Sequence, residues 1–177
     1  MVKLNLENFR QYFITGEFKT IYKATSKEFQ QLISLNEFHN VCHSFNNDVQ
    51  HYEKLSEKQW FGTTQVVWLD QNKEQAIQVT YDQNQMITGI YLKPFATYPS
   101  DHKMTKNHYR LPICDEWFVF WGGTNEFVNY HYVYESQRYA YDLVRVKKGR
   151  SNTNPLLSHT FFNRCSRESI CPRCVSR

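Results

Sequence analysis

The first fifty residues alternate apolar and polar positions at helical spacing. Leu4, Leu6, Phe9, Tyr12 and Phe13 recur three and four apart, and Gly16 stands where such a helix would stop. Thr25-Ser-Lys-Glu28 has the form of a capping box before Phe29 and Leu32, and Ser34-Leu-Asn-Glu37 repeats it before a third helix. In that helix Phe38, Val41, Cys42, Phe45 and Val49 fall on one stripe, which is expected to face a sheet. From about Tyr52 the pattern turns to strands: Thr64–Leu69, Gln75–Tyr81 and Met86–Leu92 are rich in β-formers. Asp70-Gln-Asn-Lys73 and Asp82-Gln-Asn-Gln85 separate them as hairpin turns. Helices followed by an antiparallel meander predict an α+β domain over residues 1–94, its helices packed on one sheet face.

Pro94 and Pro99 bracket a polar stretch that reads as a linker over residues 95–110, with a second domain beginning at 111. Trp117-Phe-Val-Phe-Trp121 is apolar at every position, as expected of a strand covered on both faces, and Gly122-Gly123 breaks it. Phe127–Tyr134 and Tyr139–Val146 read as two further strands, so residues 111–146 are expected to be an incomplete all-β segment. Residues 147–177 show neither period and are expected to form a basic, disordered tail.

Composition sharpens this picture in a few places. The chain of 177 residues is 41% hydrophobic and 16% aromatic, with only 6 Gly and 5 Pro, which argues against low complexity or extended disorder. Its net charge is +4, unevenly spread. From Arg145 onward eight bases against the single acid Glu168 give +7, which leaves −3 for residues 1–144. Nucleic-acid binding would rest on the tail alone, and a nucleic-acid partner is not expected. No apolar run reaches the roughly 18 residues of a membrane span. The N-terminal residues lack a secretory signal, so the chain as written is expected to be cytoplasmic.

Two stretches together resemble a known family. Leu111-Pro-Ile-Cys-Asp-Glu-Trp-Phe-Val-Phe-Trp-Gly-Gly-Thr-Asn125, then Asn129-Tyr-His131 and Gln137-Arg-Tyr-Ala-Tyr-Asp142, look like the opening of a lysostaphin- or LytM-type zinc metallopeptidase domain. Residues 5–94 are similar to the small cystatin-like or nuclear-transport-factor-like cone that precedes it in some bacterial members. The resemblance implies cleavage of peptide cross-links in peptidoglycan at the cell wall, with zinc as cofactor. It implies a His and an Asp as early ligands and a later His-x-His for a third ligand and a catalytic histidine. Three protein ligands leave one position for an activated water.

Carried over, Asp142 is the candidate acidic ligand and His131 the nearest candidate histidine. The usual His-x-x-x-Asp spacing is broken, because Arg138 stands four residues before Asp142. His131 would have to be brought in by a hairpin; otherwise it is an exposed strand histidine. Ala140, Asp142, Val144 and Arg138 share one face of a strand, so an Arg138–Asp142 ion pair competes evenly with metal ligation. Beyond Asp142 the sequence holds only His159 and no His-x-His. The expectation is a C-terminally truncated member, ending in frameshifted sequence and without peptidase activity. The alternative is a noncatalytic ligand- or protein-binding accessory module built on residues 5–94.

The remaining constellations carry less. Cys165, Cys171 and Cys174, with His159, have irregular spacing for a zinc knuckle, and the Cys-x-x-Cys lacks the βαβ setting of a redox pair. His39 and His43 stand four apart but lack the intervening Glu of a peptidase helix, and read as solvated. Cys42 reads as an inert core thiol. Trp60, Phe61, Trp68, Tyr81 and Tyr91 either line a ligand hollow or fill the core, and core packing is the favoured reading.

Overall fold

The computed structural model describes residues 4–60, 62–103, 106, 117–146 and 157–158. The chain forms two compact units, residues 1–96 and 97–177.

Four short helices open the first unit: α1 (Phe9–Ile14), α2 (Phe18–Lys23), α3 (Lys27–Leu32) and α4 (Leu35–Phe45). Leu4 and Leu6 precede α1 rather than belong to it, and Gly16, at φ +75°, takes the left-handed turn that ends it. The helix α2 has no counterpart in the three helices read from sequence. At α4 the predicted capping box is present: Glu37 N–H donates to Ser34 Oγ at 3.3 Å, and Ser34 N–H donates to Glu37 Oε2 at 3.0 Å. At α3 the cap is Ser26, whose Oγ accepts from Phe29 N–H at 3.2 Å, one position beyond Thr25. The Thr25 hydroxyl is already committed to the Tyr22 carbonyl at 2.7 Å, closing α2.

Strands β1 (Tyr52–Trp60), β2 (Thr63–Asp70), β3 (Gln75–Tyr81) and β4 (Ile87–Pro94) form an antiparallel meander in the order β1-β2-β3-β4. Both tetrapeptide turns work through their aspartates. Asp70 accepts from the N–H groups of Asn72, Glu74 and Gln75 at 3.1, 2.8 and 2.7 Å. Asp82 Oδ1 accepts from those of Asn84 and Met86, each at 2.8 Å. Lys73 and Gln85, the fourth residue of each turn, both sit near φ +60°.

Helices and sheet meet in one aromatic core. Phe9 stacks on Trp68 at 5.1 Å, and Phe13 meets Phe18 and Tyr52 edge-on at 5.3 and 5.9 Å. Phe38 and Cys42 are buried in it, with Phe45 and Val49 packed against it. Val41, expected on the same stripe, is 51% exposed. It lies about 100° around the helix from Cys42, and the sheet side is already filled by Phe38 and Cys42. Trp68 and Tyr81 are core residues, whereas Tyr91 is exposed. The first unit is therefore α+β, with its helices on an antiparallel sheet.

In the second unit β5 (Phe118–Trp121) pairs with β6 (Asp142–Val146), and β7 (Leu157–Ser158) pairs with the far end of β6. Val119 is exposed, so β5 is not covered on both faces as its composition predicts: successive side chains point to opposite faces, and the face carrying Val119 is open. The strand expected over Phe127–Tyr134 is absent: a turn leads into a 3₁₀ helix at Tyr130–Val133. Two asparagines cause this. Asn125 Oδ1 accepts from Phe127 and Val128 N–H, and Asn129 Oδ1 accepts from His131 N–H at 3.1 Å, so these donors are satisfied locally rather than by a ladder. Likewise Tyr139–Tyr141, read as strand, precede β6.

Part of the stretch read as linker is bound into this unit. Asp101 Oδ1 accepts from the Tyr132 hydroxyl at 2.6 Å, and the Tyr98 ring lies 4.2 Å beneath the Arg138 guanidinium. The basic tail expected over residues 147–177 lies, apart from Leu157–Ser158, outside the described residues, as do Cys165, Cys171, Cys174 and His159.

Candidate metal-ligand pair

The 3₁₀ helix and the start of β6 bring His131 and Asp142 together: His131 Nε2 lies 3.0 Å from Asp142 Oδ1. The ten intervening residues, the end of the 3₁₀ helix and a turn rather than a strand hairpin, close this gap. His131 is 4% exposed and so is not the surface strand histidine that its sequence context also allows. Asp142 opposes Trp121 in the ladder, across the irregularity that follows Val119.

The second ring nitrogen, Nδ1, lies 3.0 Å from Gln137 Oε1. Both nitrogens of a buried imidazole thus face oxygen acceptors. A ring that donates from Nε2 to the Asp142 carboxylate satisfies that contact as an ordinary hydrogen bond; a ring with its proton on Nδ1 alone would leave the Nε2 lone pair and the carboxylate to share a cation. Two donors at about 2.0–2.1 Å from one tetrahedral ion stand about 3.3 Å apart, close to the observed separation.

Arg138 does not neutralise Asp142. It is 3% exposed and turned the other way, its Nε donating to the Tyr132 carbonyl at 3.0 Å and its Nη1 to Ser100 Oγ, with Asp101 at 3.8 Å. The rings of Tyr98 and Tyr132 lie against its guanidinium. Strand alternation back to residue 138 would set Arg138 beside Asp142, but β6 begins only at Asp142.

Three residues without an assigned role in the sequence shape the pair. Asn129, fully buried, donates to the carbonyls of Gly123, Arg138 and Ala140 while holding the His131 amide, so it ties both arms of the loop. Gln137 orients the ring. Tyr130 stacks over His131 with ring centres 3.9 Å apart; burial, then the Asp142 charge, pushes its hydroxyl up from its ordinary range. The legible signal was an asparagine two residues before a histidine, the spacing of a side chain that accepts from a backbone N–H two residues on.

A zinc centre that cleaves amides needs three protein donors and an open position. Here two stand together, and among the described residues no group of three His, Cys, Asp or Glu side chains could hold a metal. The pair alone does not make up such a centre, and no hydrolytic step follows from it. In the first unit His39 and His43 are exposed, as expected. Cys42 is buried, and burial pushes its thiol up to about 12, in keeping with an inert core residue. Among the described residues no helix is long and apolar enough to cross a membrane. Comparison with family models, with curated proteins and with solved structures finds no match for this chain.

Proposed function

We propose that the second unit is the ligand-bearing opening of a zinc-peptidase-like centre of the lysostaphin or LytM type, with His131 and Asp142 as its ligand pair. In this reading the chain by itself takes up Zn²⁺ weakly and leaves peptidoglycan cross-links intact. The observation that carries it is a buried histidine with acceptors at both ring nitrogens, one of them a carboxylate at ligand-to-ligand distance. Neither neighbour is the third donor that tight binding needs.

Zinc titration of the full chain tests this. Zinc-induced spectral changes at residues 129–142, lost in both His131→Ala and Asp142→Ala but kept in Cys171→Ser, are the expected result. Uptake indifferent to Asp142→Ala would leave an imidazolium–carboxylate ion pair in its place. Chelator-sensitive cleavage of cross-linked wall peptides by the wild-type chain would overturn the inactivity.

A second reading, a noncatalytic binding module on residues 5–94, draws on a hollow of about 730 Å³ beside α4. Its lining includes Val41, Phe45, Leu92, Pro94 and Gln75, and the buried Gln75 Oε1 has no hydrogen-bond partner there. A ligand with an apolar body suits that lining.

A further inference from the structure

We propose that α4 carries a second, independent metal site: a two-histidine chelate, formed by His39 and His43, for a divalent transition ion of the nickel and copper class. The two residues are exposed and one helical turn apart, and their rings are stacked 6.0 Å apart at an interplanar angle of 21°. Side chains four apart project from the same face of a helix. Two imidazoles bound cis to one ion have ring centres about 4.5–5.2 Å apart, given metal–nitrogen bonds of about 2.0–2.1 Å. Binding one ion takes side-chain rotations that tip the two rings out of this near-parallel stack, so that a nitrogen of each points at the ion, and bring their centres about 1 Å closer.

The surroundings favour this site and limit it. The Phe18 ring meets His39 edge-on at 5.6 Å, which holds that imidazole beside its partner and reduces the rotamer freedom lost on binding. His43 lies in the last turn of α4, where the carbonyl end of the helix favours a cation. Neighbouring groups do not complete a protein cage. Cys42, between the histidines in sequence, faces the core and stays protonated, and the Glu37 carboxylate is engaged by Ser34 in the capping box. The remaining positions therefore fall to water or to a donor from a binding partner. Imidazole with water suits nickel and copper rather than calcium or magnesium.

The test is titration of the isotopically labelled full chain with Ni²⁺ alone, followed by nuclear magnetic resonance. Paramagnetic broadening centred on residues 36–46 is expected, weakened about tenfold or more in His39→Asn and in His43→Asn, because either change leaves a single donor. His131→Ala should leave the α4 broadening unchanged, which separates this site from the His131–Asp142 pair. Broadening at α4 that survives His39→Asn, or none below millimolar Ni²⁺, would overturn the proposal. Unaltered spectra of the two asparagine variants without metal would show that folding is not the cause of the loss.

Discussion

The Asn129 side-chain amide donates to the Arg138 carbonyl at 3.0 Å, nine residues along the chain. The same side chain accepts from the His131 amide, so one buried residue joins the segment carrying the histidine to the turn that delivers Asp142. The His131–Asp142 pair is consequently a product of the loop's internal hydrogen bonding more than of the three short strands around it.

Asn129→Ala removes this tie and strands the carbonyls and amide it served. A loss of about 2–4 kcal/mol is expected, since each buried group left without a partner costs about 1–3 kcal/mol and partial relaxation recovers some of it. Denaturant unfolding followed by tryptophan fluorescence would read the loss, and zinc uptake at His131 should fall with it. An unchanged midpoint would show that the loop holds its shape without Asn129.

The two Asp-Gln-Asn turns offer an internal comparison. Asp70 is 4% exposed and accepts three backbone donors, whereas Asp82 accepts two at a wetter site. Asp70→Ala should cost about 2–3 kcal/mol and Asp82→Ala about 1 kcal/mol, because water can replace the lost acceptor only at the second turn. Lys73→Gly should be neutral or gain up to about 1 kcal/mol, because glycine relieves the left-handed backbone there. Urea midpoints of the three variants check the order.

Tyr52 and Tyr81 bury hydroxyls that have no hydrogen-bond partner among the described residues. Phenylalanine at either position should therefore leave stability within about 0.5 kcal/mol or raise it by up to about 1 kcal/mol. Burial raises both phenols, with Asp70 and then Cys42 adding to the effect at Tyr52. A phenol raised in the folded state favours folding below its unfolded value of about 10, and that contribution drains away as pH climbs beyond it. Alkaline unfolding, followed by tyrosinate absorbance, should move to higher pH in Tyr81→Phe. A midpoint that does not move would place the alkaline transition elsewhere.

The four-strand meander and the helices before it were legible because their signals are local. Gly16, the Ser34–Glu37 box and the two aspartate turns each act within five residues, and the run of β-formers in β2 and β3 marks a strand without knowledge of its partner. Misreadings arose where a neighbour distant in sequence, or a competing side chain, takes over a local preference. Phe127–Tyr134 has the composition of a strand, yet Asn125 and Asn129 capture its amides. Val41 belongs to the apolar stripe by count and lies outside the surface that the sheet leaves to cover.

The candidate pair divides in the same way. That His131 and Asp142 are the residues to watch is what the resemblance of their stretches to a peptidase family implies. That they meet at 3.0 Å, while Arg138 turns away to Asp101 and two tyrosine rings, does not. A hydrogen bond or ion pair chooses among all acceptors that folding brings within about 3 Å, and nearness in sequence is a poor guide to that choice once the chain turns back on itself.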